Sequence, residues 1–409
     1  MKINLIRLSN SLDPNATFKK EDDQFIEDLN NELFEEDIEL VENDNSLFSF
    51  VFIETGGSEQ HFVKIEKDLP RPIIMLSTCK NNSLPACFEI KTYLRNTYNE
   101  DSIILLGNEK ELAASISEVS KLVSSRKFIE GASLGVIGKP SDWLIASKVN
   151  YEEVKNKYKI NLVDISTQEL KEEIDKGILD NIPKLDVINR LGKDNEYLSG
   201  ALKIYSGIKR LIEKYNLKGF TIRCFDLIEE YKNTACLALS MLNDEGYIGT
   251  CEGDIPSMLT MFFVKAVSNK TSFQANPSKI DIKSGNVLFA HCTIPLNMVS
   301  DVTFMTHFES GLGIGIRGKL DEKDISIIKL TPKLDHALFL EGKIVSNQTL
   351  SNYCRTQIEV KFSDEDGIFN FLREDFGNHV IIVYGNIIPE FLNLLHFYNQ
   401  KGKVDEESH

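Results

Sequence analysis

The chain has 409 residues, of which 42% are hydrophobic and 26% are charged, a composition typical of a globular protein with more than one core. Its 62 acidic residues outnumber its 46 Lys and Arg residues, and the net charge of −16 argues against nucleic-acid binding, which needs a basic face. No apolar run reaches the roughly 20 residues of a membrane span, and the seven cysteines contain no Cys-x-x-Cys pair. We therefore expect a cytoplasmic protein that binds a small molecule, with neither nucleic acid nor a membrane as partner.

The first third of the chain alternates short apolar runs with amphipathic segments. The runs KINLIRL, LFSFVFIE, PIIMLST and SIILLG read as strands, and helix-like sequence follows most of them. This alternation is typical of a parallel sheet with crossover helices, and it predicts a Rossmann-like α/β domain over residues 1–145. Ligands of such sheets bind at the loops that follow the strands, which here are residues 56–59, 80–83 and 138–143.

The same alternation returns with INLVDIS, GFTIRCFD and YIGTCEGD and predicts a second α/β domain over residues 146–270. From residue 271 to residue 409, short strands follow one another at close spacing, which predicts a mainly antiparallel β-barrel domain with a C-terminal strand and helix. Neither a GxxxxGK[ST] motif nor a GxGxxG motif after a strand occurs, so we predict no nucleotide-binding loop.

The segment GYIGTCEGDIPSMLTMFF places Glu252 and Asp254 between a strand and an apolar helix. One interpretation is helix capping, because a helix N-terminus attracts anions. The other is chemical, because three more ligand-type residues stand at strand ends: Asn276 in FQAN, His291 in FAHC and His379 in FGNH. A carboxylate, two imidazoles and an amide form the mixed N/O donor set of a divalent metal site.

The ordered series LALSMLNDEGYIGTCEGDIPSMLTMFF, SFQANPSKIDI, NVLFAHCTIP and GNHVIIVYG resembles the L-fucose isomerase and L-arabinose isomerase superfamily in a compact version. The resemblance runs over most of residues 220–385. It implies two Rossmann-like domains and a C-terminal β-barrel domain, in agreement with the element pattern. It also implies a divalent metal ion, Mn²⁺ first, an aldose–ketose interconversion, and a homotrimer or homohexamer whose sites are shared between subunits.

By this resemblance, Glu252 is a metal ligand and a base, and His379 and His291 are metal ligands. Two carboxylates move protons in such a reaction, but at the second position this chain has Asn276. An amide can bind a metal through its oxygen and cannot act as a base near neutral pH. The second proton-transfer group must then be one of the remaining candidates: Asp254, Asp226, Asp301 or a metal-bound water.

Several more residues are candidates for the pocket. Trp143, the single tryptophan, can stack on a sugar ring or pack at an interface. Arg223 and Asp226 can contact substrate, or they can pair with each other. For His307 and Glu309, which follow a strand in MTHFES, the sequence favours the edge of a solvated hairpin over the pocket.

Three functions remain open on the sequence. The leading one is a metal-dependent sugar isomerase. The second is a non-catalytic sugar-binding relative that lost the second carboxylate at Asn276. The third is a metal enzyme for a modified sugar, with an acidic substituent that contacts Arg223 or Lys139. The three loops named above have no evident route to Glu252 within one subunit, so we expect them to complete the site of a neighbouring subunit.

Overall fold

The computed structural model describes residues 1–10, 17–44, 48–100, 102–364 and 366–406. The chain divides into two compact units, residues 1–124 and residues 125–409. The predicted fold class is confirmed, because two parallel α/β sheets are followed by a closed antiparallel β-barrel and a C-terminal helix. None of the described helices is long and apolar enough to cross a membrane.

The first unit is built on one parallel sheet with the strand order β2-β1-β3-β4-β5. Its central strands are apolar on both faces: Phe50 and Phe52 pack into one core cluster, and Val51 and Ile53 pack into another. The strands are β1 (Lys2–Leu8), β2 (Glu39–Val41), β3 (Ser49–Ile53), β4 (Ile73–Ser77) and β5 (Ser102–Leu106). The helices are α1 (Thr17–Phe34), α2 (Glu59–Ile65), α3 (Ser83–Tyr98) and α4 (Glu109–Ile129), and α4 contains the boundary between the units.

The second unit begins with a four-stranded parallel sheet of order β7-β6-β8-β9. Its strands are β6 (Ser133–Ile137), β7 (Asn161–Ile165), β8 (Leu217–Ile222) and β9 (Ile248–Thr250). The helices of this part are α5 (Tyr151–Tyr158), α6 (Thr167–Asp175), α7 (Leu185–Leu191), α8 (Leu198–Tyr215), α9 (Asp226–Tyr231), α10 (Cys236–Asp244) and α11 (Ile255–Ser268). Helix α11 is apolar along most of its length and is buried from Ile255 to Val264, so it belongs to the interior.

The placement of strand β6 differs from the sequence-based prediction, which put this strand in a first domain ending at residue 145. β6 pairs in parallel with β7 and β8, so it and the 138–143 loop that follows it belong to the second sheet. The physical reason is that periodicity identifies a strand but does not say which sheet the strand joins. Residues 146–270 and 271–409 lie together in the second compact unit.

The barrel closes through six antiparallel strands in the order β10-β11-β16-β15-β14-β17, with β17 pairing back onto β10. The strands after α11 are β10 (Phe273–Asp281), β11 (Asn286–His291), β12 (Asp301–Met305), β13 (Gly315–Lys319), β14 (Asp324–Leu330), β15 (Ala337–Asn347), β16 (Thr356–Phe362) and β17 (Val380–Tyr384). β12 and β13 form a separate hairpin, and the remaining helices are α12 (Gly367–Arg373) and α13 (Ile388–Glu406). Barrel residues such as Phe273, Phe289 and Ile327 share one core cluster with Phe220 of the parallel sheet.

Candidate metal centre and active site

The turn between β9 and α11 has an unusual backbone. Glu252 has a φ of 65° and Gly253 a φ of 72°, and the left-handed region costs a residue such as Glu about 1 kcal/mol. A Cβ atom at residue 253 would lie 2.6 Å from the carbonyl oxygen of Lys139, so only glycine fits there. Surrounding contacts must therefore hold the turn in this conformation, as is common at functional sites.

Hydrogen bonds from two other elements hold this turn. The backbone N–H of Cys251 donates to Oε1 of Gln274 on β10 at 2.8 Å, and Gln274 is buried. The backbone N–H of Ser141 donates to the carbonyl oxygen of Glu252 at 2.9 Å. The Glu252 backbone is thus fixed between the 138–143 loop and the first strand of the barrel.

Arg223 and Asp226 pair with each other, which is one of the two alternatives that the sequence left open. Nε of Arg223 donates to Asp226 at 3.0 Å, Nη2 donates to Asp142 at 2.9 Å, and Nη1 donates to the carbonyl oxygen of Pro140 at 3.0 Å. These bonds tie the 138–143 loop to the strand end of β8. Because this loop contacts Glu252 of its own chain, the premise that it has no route to Glu252 within one subunit is wrong.

Three of the predicted metal ligands come together. Glu252, His291 at the end of β11 and His379 just before β17 each offer one ligand atom, and these atoms lie within 4.8 Å of one another. Nε2 of His379 is 3.5 Å from Oε1 of Glu252, and the two imidazole rings are 5.5 Å apart between centroids. Two ligand atoms that are each about 2.1 Å from one metal ion lie at most about 4.2 Å apart, and the 3.5 Å between Nε2 of His379 and Oε1 of Glu252 falls within that limit.

The hydrogen bonding of the two histidines shows that the cluster fits a divalent cation. His379 is fully buried, and its Nδ1 is 2.8 Å from Oδ2 of Asp254. Its Nε2 is buried and has no hydrogen-bond partner among the described residues, which is costly for a polar atom. Nδ1 of His291 is 2.9 Å from the hydroxyl of Thr293, which leaves its Nε2 for the cluster. A metal ion bound through both Nε2 atoms would satisfy the unpaired nitrogen.

Asp254 lies behind His379 in a fully buried network. Its carboxylate accepts from the backbone N–H of Ser257 at 2.9 Å, which caps α11, and from Nζ of Lys329 at 3.0 Å. Burial alone would raise the pKa of Asp254, but Lys329 and His379 hold it well below its usual range. Each carboxylate oxygen thus already contacts a donor, and the proton-transfer role predicted for Asp254 stays a prediction.

Glu252 itself is held by Trp143. The indole Nε1 donates to Oε2 of Glu252 at 2.6 Å, while Oε1 faces His379. Burial alone would raise the pKa of Glu252, but His379, His291 and Trp143 lower it to about 2. The carboxylate is therefore ionised at neutral pH. Trp143 is 51% exposed, and its ring meets Phe225 edge-on at 4.8 Å, so part of the indole faces outward beside the cluster.

The remaining predicted residues are not among the three clustered ligands. Asn276 on β10 donates from Nδ2 to Oδ1 of Asn378 at 3.2 Å, beside His379 in the chain. Asp301 at the start of β12 is exposed and accepts a hydrogen bond from the following backbone N–H. The side chain of Lys139 is exposed, and within the described ranges neither Lys139 nor Asp301 forms a hydrogen bond or ion pair with the three ligands.

Sequence analysis assigned no candidate role to the buried Lys329, and it indicated the wrong burial for His307. Lys329 stands in the apolar strand ISIIKL of β14, and a lysine in such a run needs a buried partner, which was a usable signal. His307 is only 7% exposed, so its interpretation as the edge of a solvated hairpin is wrong. A connecting segment gives no periodicity that would indicate this burial.

Comparison with known proteins supports a sugar isomerase. No protein-family model matches the chain. The chain is 22% identical over 375 residues to the sulfoquinovose isomerase of Priestia aryabhattai, covering 86% of this chain and 83% of that protein. The sulfoquinovose isomerase of Priestia megaterium has the same identity and coverage. That of Alkalicoccus urumqiensis is 20% identical over 310 residues, covering 72% of this chain and 70% of the relative.

These names agree with the predicted sugar isomerase. The more specific assignment to the L-fucose isomerase and L-arabinose isomerase superfamily stays a prediction.

Proposed function

We propose that this protein is a metal-dependent aldose–ketose isomerase. The observation that carries the proposal is the buried, unpartnered Nε2 of His379, which faces Oε1 of Glu252 beside His291. The names of the relatives indicate an aldose–ketose isomerase, which is an intramolecular oxidoreductase. Two imidazoles and one carboxylate suit a divalent ion of intermediate softness, and we take Mn²⁺ as the first candidate.

When bound, such an ion supplies Lewis-acid polarisation of the two adjacent substrate oxygens. The protein's own contribution at carbon is Glu252, whose carboxylate takes the proton from the carbon next to the carbonyl group and returns it to the neighbouring carbon. The N–H of Trp143 fixes one carboxylate oxygen at 2.6 Å, so the orientation of the other is set before substrate arrives.

Asp254 and Lys329 act through His379 in this proposal. The Asp254 carboxylate accepts the Nδ1–H of His379, which selects the tautomer with a lone pair on Nε2 and fixes the direction of that lone pair. Lys329 balances the buried negative charge of Asp254 and also donates to the hydroxyl of Ser257. We therefore assign both residues a positioning role.

The proposed substrate is an aldose, and the name of the relatives makes sulfoquinovose the first one to test. Sulfoquinovose carries a sulfonate, so it belongs to the modified sugars that the sequence left open. Arg223 forms ion pairs with Asp142 and Asp226, so it is poorly placed to bind an acidic substituent of the substrate.

The homotrimer or homohexamer remains part of the proposal, with loops 56–59 and 80–83 as the segments that would complete a neighbour's site. Light-scattering mass measurement of the purified protein tests it, and a monodisperse monomer would refute it. A cytoplasmic location stays a prediction.

An aldose panel tests the function. Metal-stripped protein is reloaded with Mn²⁺, Co²⁺, Zn²⁺ or Mg²⁺, and ketose formation is followed with sulfoquinovose, L-fucose, L-arabinose and D-glucose. We expect about one ion per chain and turnover of at least one aldose only in the loaded protein. Tight sugar binding without turnover would favour the non-catalytic alternative, and failure to retain any ion would refute the metal site.

A further inference from the structure

The isomerisation needs a second proton-transfer group, and this inference rests on the proposed function. While the carbon-bound proton moves, a hydroxyl proton must also pass from one substrate oxygen to the other. Asn276 cannot exchange protons near neutral pH. Asp254 is engaged by Lys329, Ser257 and His379, and Asp226 is paired with Arg223.

His307 lies in the segment between β12 and β13 and is held in a tight turn. Its backbone N–H donates to the carbonyl oxygen of Leu312 at 3.0 Å, and its own carbonyl oxygen accepts from Gly311 at 3.0 Å. Its ring Nδ1 is 3.2 Å from the hydroxyl of Ser310. The side chain is 7% exposed, and its Nε2 has no hydrogen-bond partner among the described residues. The backbone and one ring nitrogen are therefore fixed while the other nitrogen is available.

A continuous row of rings connects His307 to Glu252. The His307 ring meets the Phe225 ring at 5.6 Å and 80°, and Phe225 meets Trp143 at 4.8 Å and 83°. Trp143 in turn donates to Oε2 of Glu252 at 2.6 Å. His307 is thus connected to the Glu252 carboxylate through the rings of Phe225 and Trp143.

The charges around His307 favour a neutral imidazole. Burial lowers the pKa of His307, Arg355 lowers it further, and Glu252 opposes both. Nε of Arg355 is fixed by a 2.6 Å hydrogen bond to the carbonyl oxygen of Thr306, so this cation stays beside the histidine. A neutral imidazole can accept a proton at one nitrogen and release it again, which is what a hydroxyl relay requires.

We propose that His307 is the second proton-transfer residue of this site, with Nε2 contacting the two substrate oxygens. Glu252 takes the proton from C2, and the electron pair of that C–H bond forms the C1–C2 double bond while the C1=O1 pair moves onto O1. His307 takes the proton from the O2 hydroxyl and gives it to O1. The O2 pair then forms the C2 carbonyl group, the π pair of the C1–C2 double bond moves to C1, and C1 receives the proton held by Glu252. The step balances without an external oxidant or reductant.

The test compares His307→Gln, His307→Ala and the neighbouring control Glu309→Gln, all loaded with the metal that supports parent turnover. Glu309 lies two residues away and is largely exposed, but its partial burial and the Glu252 charge raise its pKa, so it is the alternative candidate for the same role. We expect His307→Gln to keep parent metal content and melting temperature and to lose about 10²–10³-fold in turnover. Exchange of the C2 hydrogen with solvent deuterium should fall less than ketose formation does. Glu309→Gln should stay within about threefold of the parent.

Rescue by added imidazole distinguishes proton transfer by His307 from a role in packing, because imidazole cannot restore lost packing. The rate of His307→Ala should rise in proportion to imidazole concentration by at least about tenfold, and parent turnover should not respond. Parent-like turnover of His307→Gln, loss of metal or fold in both His307 variants, or a large loss in Glu309→Gln alone would each overturn the assignment. If the loaded parent converts no aldose, the proposed function fails first and the assignment fails with it.

Discussion

Two buried glutamates follow parallel strands in different units, and their surroundings differ. Glu54 comes directly after β3 in the first unit and is 7% exposed. Glu252 comes two residues after β9 in the second unit and is 9% exposed. Both therefore stand at the carboxyl end of a strand in a parallel α/β sheet, where ligands usually bind.

The partners of the two carboxylates decide what each can do. Arg7 on β1 contacts Oε1 of Glu54 at 2.6 Å through its guanidinium group, which is permanently charged and has no lone pair to offer. Glu252 instead faces the indole N–H of Trp143 and the Nε2 of His379, with His291 close by. An imidazole can be neutral and donate a lone pair. An arginine thus makes a strand-end carboxylate structural, whereas two imidazoles leave it available to a cation.

Exchange of each glutamate for glutamine should separate these roles. Glu252→Gln removes the charged ligand, so we expect metal content to fall and turnover to drop by about 10³-fold or more. Glu54→Gln should keep metal content and lose stability, on the order of 2 kcal/mol, because Arg7 loses a buried partner. Metal analysis, turnover and urea unfolding of both variants measure this.

Two results would contradict these different roles of Glu54 and Glu252. If Glu252→Gln binds metal like the parent and only melts earlier, the turn is a structural connection and no metal centre. If Glu54→Gln loses metal to the same extent as Glu252→Gln, the two strand ends are not functionally different.

Local sequence contained most of the fold and part of the site. Alternation of apolar runs with amphipathic segments indicated the parallel sheets, and close-spaced short strands indicated the barrel. Glu252, His291 and His379 stood out because each is a ligand-type residue next to the end of an apolar strand. The sequence could not show that these three residues, at the ends of β9, β11 and β17, converge. Their convergence depends on closure of the barrel by pairing of β10 with β17.

The residues that act through others were harder to predict. Asp254 was expected to move protons, yet its contacts with Lys329 and His379 come from positions 75 and 125 residues away along the chain. Trp143 was expected to stack on a sugar or pack, and its bond to Glu252 spans 109 residues. Such long-range pairs leave no periodic signal, so a single sequence cannot reveal them.

Replacement of Lys329 tests the buried network behind the metal ligands. Lys329→Met leaves the Asp254 charge without its cation, and we expect a loss of about 3 kcal/mol in the free energy of unfolding. Metal affinity should also fall, by about tenfold, because His379 loses its fixed orientation. Urea unfolding and metal titration measure the two effects. The control is Lys343→Met on the exposed face of β15. It should change the free energy of unfolding by no more than a few tenths of a kcal/mol and the metal affinity by no more than about twofold. Equal behaviour of the two variants would mean that the network does not support the ligands.

The smallest expected effect concerns Asp22 of α1, which lies next to the structural glutamate. Burial and the Glu54 charge raise the pKa of Asp22 to about 6 from an ordinary value of 3.8, although Arg7 opposes them. The folded protein therefore holds this proton more tightly than the unfolded chain. The resulting stability is fully present below pH 3.8 and is lost as the pH rises through about 6. The sign is opposite for Glu252, whose lowered pKa gives stability that is lost as the pH falls toward 2.

Asn cannot ionise, so Asp22→Asn should be more stable than the parent at pH 7, by about 1 kcal/mol, and nearly equal to it at about pH 4. Urea unfolding of the metal-free parent and variant at both pH values measures the difference. The parent and Asp22→Asn should bind metal equally, because Asp22 interacts with Glu54 in the first unit and is not one of the residues of the Glu252 cluster. A variant less stable than the parent at pH 7 would show that the Asp22 carboxylate is ionised and stabilising at that pH. The region around Glu54 and Arg7 would then accommodate two negative charges, contrary to the raised pKa of Asp22.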